Sequence, residues 1–272
     1  MTHWKLILSY DGTNFHGWQV QPGLVTVQGT LQEAIARVTG ETPLPQGSGR
    51  TDAGVHALAQ VASLALEASI PPSNFLRALN AALPPSIRIL NAEHAAPNFH
   101  ARHCAIRKTY EYRIFERRSP SDAEAGDRIC PPFLSPYVWD CRWPLDFDLL
   151  QEAATHVCGE HDFASFAASD PDRTTREDEL NQPQSTIRTV FASTWSRSDN
   201  VLTYRIAGNG FLHHMVRNVV GTLADVGRGS LEPADLPRIL AAHNRTAAGP
   251  TAPACGLFLV SVEYPEYPEP QP

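Results

Sequence analysis

Nowhere does the 272-residue chain hold the roughly 20 consecutive apolar residues of a membrane-spanning helix, so an embedded helical membrane protein is excluded. The opening Met1-Thr2-His3-Trp4-Lys5 lacks the charged-then-apolar pattern of a secretory leader, and a cytoplasmic protein is expected. Cysteine is scarce: Cys104, Cys130, Cys141, Cys158 and Cys255 are odd in number, widely spread, and form no Cys-x-x-Cys pair. That argues against a disulfide framework or a zinc site, and the thiols read as reduced and structural. Positive charge is short as well, with 22 Lys+Arg against 29 Asp+Glu and a net charge of −7. A protein that holds nucleic acid by uniform surface positivity is thereby excluded; a local basic patch is not.

What is present is a globular composition. With 42% hydrophobic residues, 19% charged residues and a mean hydropathy of −0.26, the chain is neither disordered nor collagen-like. Its length suits two domains or one elaborate one, with ample residues for a core. The 23 prolines against 17 glycines imply many rigid turns.

Residues 4–10 alternate Trp4, Leu6, Leu8 and Tyr10 on one face, which predicts a strand ended by Asp11-Gly12. Leu31, Ile35 and Val38 recur at helical spacing after Thr26, with Gly40 as the C-terminal cap. Residues 60–66 predict a strand, Pro72–Leu83 a helix capped by Ser73 or Asn74, and 87–90 a short strand. The second half repeats this grammar. Lys108–Phe115 predicts a strand with Tyr110, Tyr112 and Ile114 on one face, followed by a helix over 147–157 ending at Gly159. A hairpin is expected over 189–195 and 201–207, a helix over His213–Val226 ending at Gly227, and a closing strand over 256–264. The two halves also match locally: Leu31-Gln32-Glu33-Ala34, Val38 and Gly40 align with Leu150-Gln151-Glu152-Ala153, Val157 and Gly159, six identities in ten positions. A duplicated α+β unit accounts for this, and so do two generic amphipathic helices. The polar stretches 119–128 and 169–184 read as exposed loops, and 265–272, alternating proline with glutamate, as a solvated tail.

Three segments carry candidate chemistry. Gly47-Ser48-Gly49-Arg50-Thr51-Asp52-Ala53-Gly54-Val55-His56-Ala57 surrounds one arginine, one carboxylate and one histidine with glycines. No Gly-Lys-Ser/Thr follows and a strand rather than a helix comes next, which argues against a phosphate loop. A capped glycine turn fits, and so does a carboxylate kept ionised by a cationic neighbour for acid, base or nucleophilic work. The stretch 100–118 holds Arg102, Arg107, Lys108, Arg113, Arg117 and Arg118 against Glu111 and Glu116. That local positive excess, interleaved with Tyr110 and Tyr112, suits phosphate contact and base stacking; a solvated strand edge over core tyrosines looks the same. Phe211–Asn218 puts His213 and Arg217 four residues apart on the predicted helix, while adjacent His213 and His214 point about 100° apart, which disfavours a two-histidine metal site.

Together these segments resemble the tRNA pseudouridine synthases of the TruA type. The resemblance is carried by Gly49–Ala57, Phe99-His100-Ala101-Arg102, Lys108–Ile114, Gly159-x-His161-Asp162-Phe163-x-x-Phe166, Phe211–Leu223 and Ala252-Pro253-x-x-Gly256-Leu257, in family order from Tyr10-Asp11-Gly12 to Tyr264. It implies an α+β fold of two RRM-like (ferredoxin-like) halves, joined into one continuous antiparallel sheet with helices packed on it and a catalytic cleft between the halves. The expected division is 1–104, 105–264 and a disordered 265–272 tail. It implies a homodimer that isomerises uridine to pseudouridine at positions 38, 39 and 40 of the tRNA anticodon stem-loop, without cofactor or metal.

By the same resemblance Asp52 matches the catalytic aspartate, Tyr110 the tyrosine that packs on the target base, and Arg217 the arginine that pairs with the aspartate. Arg50 matches the arginine associated with extruding the nucleotide; Thr51, His56, Arg102 and Lys108 are expected RNA contacts beside it and Tyr110. One carboxylate serves either by attacking the sugar or by removing its 2′ proton to give a glycal. A stem base must also be flipped out, at an unstacking cost of a few kcal/mol. Two other readings stand beside this one. A non-catalytic RNA-binding module has no need for Asp52 with Arg217, and a glycoside hydrolase needs a second carboxylate motif that is not evident.

Overall fold

The computed structural model describes residues 1–118, 127–169 and 185–265. The expected loops at 119–128 and 169–184 and the proline-glutamate tail lie, apart from their end residues, outside that range. In chain order the elements are β1 (Thr2–Tyr10), α1 (Val27–Thr39), β2 (Gln46–Gly47), β3 (His56–Leu66), α2 (Pro72–Ala82), β4 (Ile87–His94) and β5 (Arg107–Glu116). They continue with β6 (Trp139–Cys141), α3 (Phe147–Thr155), β7 (Gly159–Asp162), β8 (Ile187–Ser198), β9 (Val201–Gly208), α4 (Met215–Gly227), α5 (Asp235–Ala241) and β10 (Leu257–Glu263). Among the described residues no helix is long and apolar enough to cross a membrane, and all five cysteines are free.

The chain forms two compact units, Met1–Thr109 with Leu257 onward, and Tyr110–Gly256. The division falls after Thr109, within β5. The last strand goes with the first unit because β10 runs parallel to β3, Phe258 opposite His56 and Leu259 opposite Ala57.

In the first unit the strands lie in the order β4-β1-β3-β10, with β2 also on β3. The alternation read in β1 is the buried face: Trp4, Leu6, Leu8 and Tyr10 are all inside. Leu6 lies opposite Ala62 of β3 and Ala92 of β4, and Trp4 packs on Phe75 of α2 with ring centroids 4.7 Å apart. Burying a large apolar side chain contributes about 1.5–3 kcal/mol, so this face and the inner faces of the helices (Leu31 and Ile35, Phe75 and Leu79) hold the unit together. Helix α1 starts and stops where expected, with the Thr26 hydroxyl capping Gly29 N–H and Gly40 in the left-handed region. Helix α2 departs from expectation: Pro71 is its N-cap, no side chain caps it, and Asn74 accepts from Arg77 instead. Proline at the first helical position replaces the cap by removing an N–H that would otherwise need a partner.

In the second unit the order is β5-β9-β8-β7, with β6 parallel to β5. The fold is α+β as expected, but its pairing is mixed, since β10–β3 and β5–β6 are both parallel. β8 and β9 form the expected hairpin through Asp199-Asn200. Tyr110, Tyr112 and Ile114 are the buried face of β5. Helix α3 ends at Thr155, short of the expected 157, and Gly159 opens β7 rather than capping the helix. The shared Leu-Gln-Glu-Ala tetrad has one burial pattern in both helices: Leu31 and Ala34, like Leu150 and Ala153, face the core.

Helix α4 begins at Met215, so His213 and His214 precede it. His214 is the N-cap, with a left-handed φ of 58°, and the expected His213/Arg217 stack on one helix face does not form. Met215, Val219 and Leu223 are fully buried. On the opposite side Gly221 admits the chain at Pro250, whose carbonyl oxygen would lie 1.7 Å from any Cβ placed there. Gly221→Ala gains about 1 kcal/mol of helix propensity, yet this backbone clash costs about 1–3 kcal/mol or more. We expect a net loss of stability, read as a lower urea midpoint; an unchanged or higher midpoint would show that the 249–253 segment moves aside freely.

Candidate active site

In the first unit, the glycine-rich segment is a loop between β2 and β3. Asp52–Val55 is a tight turn: the Asp52 carbonyl accepts from Val55 N–H at 3.1 Å, and Gly54, third in the turn, has φ 78°. A left-handed residue at that place explains the glycine. The segment before α1 braces the loop, because Trp18 N–H donates to the Thr51 carbonyl and Gly54 N–H to that of Phe15. Asp52 itself is half-buried, between inward-facing Thr51 and exposed Ala53.

Beneath the loop lies a buried polar network. Gln60, 0% exposed, accepts on its side-chain oxygen from Ser48 Oγ at 2.6 Å and from Val61 N–H at 3.2 Å. Its amide nitrogen donates to the Gly49 carbonyl at 2.9 Å and to Tyr10 Oη at 3.4 Å. Tyr10 Oη also shares a hydrogen bond with Thr51 Oγ1, 2.8 Å away, in which either hydroxyl can donate. Ser48 N–H donates to the Val61 carbonyl, and Lys108 Nζ donates to the Ser48 carbonyl at 2.5 Å. Burial pushes the Tyr10 phenol up from its ordinary 10 to about 12, against the lowering effect of the Thr51 and Gln60 hydrogen bonds.

Several of the expected RNA contacts also make bonds within the fold. Thr51 turns its hydroxyl inward to Tyr10. His56 is 1% exposed; its Nδ1 accepts from Gly12 N–H at 3.1 Å, lies 3.2 Å from Asp11 Oδ1, and its ring stacks on Phe258 at 4.7 Å. Lys108 reaches the loop backbone. Arg50 and Arg102 are half-buried, and Arg102 N–H donates to His100 Nδ1 at 3.1 Å. The Phe99–Arg102 motif is mainly packing, with Phe99 against Tyr264 at 5.0 Å and Tyr264 Oη donating to the Ala101 carbonyl.

In the second unit, Tyr110 is 7% exposed and meets Phe211 edge-on at 5.1 Å. Arg217 sits in the first turn of α4, where its Nε donates to the Ala252 carbonyl at 2.8 Å while Ala252 N–H donates to the Arg217 carbonyl. The next residue, Asn218, is 0% exposed and gathers three segments: it donates to the Phe166 carbonyl and accepts from Arg245 Nη2 and Thr251 Oγ1. Tyr112 Oη donates to the Pro253 carbonyl at 2.7 Å, and burial holds that phenol well above its ordinary range. These bonds explain the Ala252-Pro253 motif as the strap along Arg217.

The basic stretch is largely neutralised. Arg113 pairs with Glu111, Arg117 bidentately with Asp140, Arg118 with Asp127 and Arg107 with Glu263. Sequence reasoning passed over Tyr10, Ser48, Gln60, Arg245 and Thr251. The signal available was Gln60 itself, a polar residue in the middle of a mostly apolar strand.

A family model described as tRNA pseudouridine synthase matches residues 6–103 and 153–265. A protein of Solibacter usitatus named tRNA pseudouridine synthase A is 50% identical over 260 residues, covering 96% of this chain and 98% of its own. Proteins of the same name from Maridesulfovibrio salexigens and Rhodospirillum centenum are each 43% identical. They span 96% and 97% of this chain and 90% and 100% of their own lengths.

The buried phenol yields a pH test. Tyr10 is neutral in both folded and unfolded chains below pH 10, so its contribution is intact there; above pH 10 the unfolded chain releases the proton first, and stability falls until about pH 12. Tyr10→Phe is less stable at neutral pH through the lost hydrogen bonds, by about 1–3 kcal/mol. That gap is expected to narrow by about 1.4 kcal/mol at pH 11 in urea titrations. A gap independent of pH would mean that the phenol is not held neutral by burial.

Proposed function

The chain belongs to the tRNA pseudouridine synthase family, and from that premise we propose that it isomerises uridine at positions 38, 39 and 40 of the tRNA anticodon stem-loop, with Asp52 as the catalytic carboxylate. In this reaction the bond from uracil N1 to the ribose breaks, the ring turns, and C5 takes its place on the same sugar carbon. A proton leaves C5 and one is gained at N1, so the change is redox neutral. Asp52 serves by attack on the sugar or by removal of its 2′ proton, and both routes need it ionised.

The observation that carries this reading is the loop itself. A half-buried carboxylate in a tight turn, held from below by fully satisfied buried groups, is the stiff presentation that positioned catalysis requires. Tyr110, already packed in a T-shaped pair with Phe211, is read as the residue on which the flipped base packs. Arg217, fixed through its Nε to the strap, is read as the cation that keeps the aspartate ionised. Arg50 is assigned to extruding the nucleotide. Arg50, Thr51, His56, Arg102 and Lys108 are the proposed RNA contacts beside Tyr110, with Thr51, His56 and Lys108 also bonded within the fold.

The RRM-like description belongs to the same reading. In the first unit the order β1-α1-β2-β3-α2-β4 and the pairing β4-β1-β3-β2 support it, and in the second β5, α3, β8, β9 and α4 with β5-β9-β8 neighbours. The five free cysteines support a reducing, cytoplasmic setting, and a homodimer is the expected assembly.

The test is incubation of wild type and Asp52→Asn with unmodified tRNA transcript, without added metal or nucleotide, and site-resolved mapping of pseudouridine. We expect product at 38–40 from the wild type and a loss of at least about a thousandfold in the variant, with tRNA affinity retained. Turnover by Asp52→Asn sinks the residue assignment; tight binding without product from the wild type points to a non-catalytic RNA-binding role.

A further inference from the structure

The network below the loop has a feature that packing alone does not require. Tyr10 on β1 and Gln60 on β3 stand well away in sequence from the residues they hold, Thr51 and Gly49. All four groups on the Gln60 amide are matched, and the amide cannot be turned over: reversal would set its oxygen against the Gly49 carbonyl and its nitrogen against Val61 N–H. The Gln60 amide therefore has one orientation, and the chain of bonds from it through Tyr10 to Thr51 ends one residue before Asp52. Displacing Gly49 or Thr51 leaves buried donors or acceptors unmatched, which gives the backbone at Asp52 one favoured place.

We propose that Tyr10 and Gln60 are positioning residues for the isomerisation: through Thr51 and Gly49 they set the place of the Asp52 carboxylate, and so determine turnover rather than tRNA affinity. The proposal rests on Asp52 being the catalytic carboxylate. Neither side chain touches substrate, since both are buried. A misplacement of a reacting group by about 1 Å costs up to a hundredfold in rate, so removing one hydroxyl from the relay is expected to lower kcat about tenfold or more.

The experiment measures kcat and KM for tRNA transcript in Tyr10→Phe, Thr51→Val and Thr51→Ser, beside Asp52→Asn, at a temperature where each remains folded. Ile35→Val in α1 serves as control, because it removes a buried methyl from the same unit without touching the relay. We expect kcat to fall in Tyr10→Phe and Thr51→Val with KM within about twofold of wild type, and Thr51→Ser, which keeps the hydroxyl, to recover most of it. Ile35→Val should lose stability, by about 0.5–1.5 kcal/mol, without losing kcat. If Asp52→Asn is inactive while Tyr10→Phe keeps wild-type kcat, the positioning role is overturned and the catalytic assignment stands. A rise in KM at unchanged kcat overturns it too, as does a kcat loss in Ile35→Val equal to that of Tyr10→Phe. Turnover by Asp52→Asn instead removes the assignment on which the proposal rests. Should Thr51→Val not fold, Tyr10→Phe carries the test alone.

Discussion

A buried amide has two donors and up to two acceptor sites to satisfy, and leaving one unmatched costs about 1–3 kcal/mol. Gln60 meets that demand entirely with atoms that define a loop: the Ser48 hydroxyl, the Gly49 carbonyl, the Val61 N–H and the Tyr10 phenol. The consequence runs outward. Tyr10 accepts from Gln60 and bonds Thr51 in turn; because Thr51 is held, the Asp52–Val55 turn starts from a fixed backbone. Gly54 then lets the turn close, and β3 begins at His56.

The second unit uses the same device with a different residue. Asn218 ties Phe166, Arg245 and Thr251 to the first turn of α4, and Thr222 one turn later accepts from Gly249 N–H. Arg217 lies between these anchors with its Nε already committed to the Ala252 carbonyl. Its guanidinium is thus oriented in part by backbone, through that Nε bond. In each unit a charged group of the proposed reaction is a near neighbour of a buried amide, so stiffness is supplied where charge must be placed.

That arrangement bears on how an acidic protein handles RNA. The cluster of positive residues around β5 is mostly consumed internally by Glu111, Asp140, Asp127 and Glu263. On the proposed reading, attraction to phosphate then depends on a few oriented groups rather than on a broad field, with stacking on the target base beside it.

Much of this was open to reading in one dimension. The alternation of Trp4, Leu6, Leu8 and Tyr10, the Thr26 and Gly40 caps of α1, the tyrosine face of β5 and the Asp199-Asn200 hairpin all follow from local periodicity and capping chemistry, which act within a few residues. The family motifs around Asp52, Tyr110 and Arg217 were legible for the same reason: they are contiguous. Tertiary structure alone decided which polar residues face inward. Thr51 and His56 read as ligand contacts in a glycine-rich string; that they also bond inward, to Tyr10 41 residues away and to Gly12 44 residues away, is set by the fold. The basic count of 100–118 likewise could not reveal its own neutralisation, because the partner carboxylates at 140 and 263 are distant in sequence. Periodicity fixes which face of an element is apolar; the partner of a buried hydrogen bond is set by which elements the fold brings together, and that information is not local.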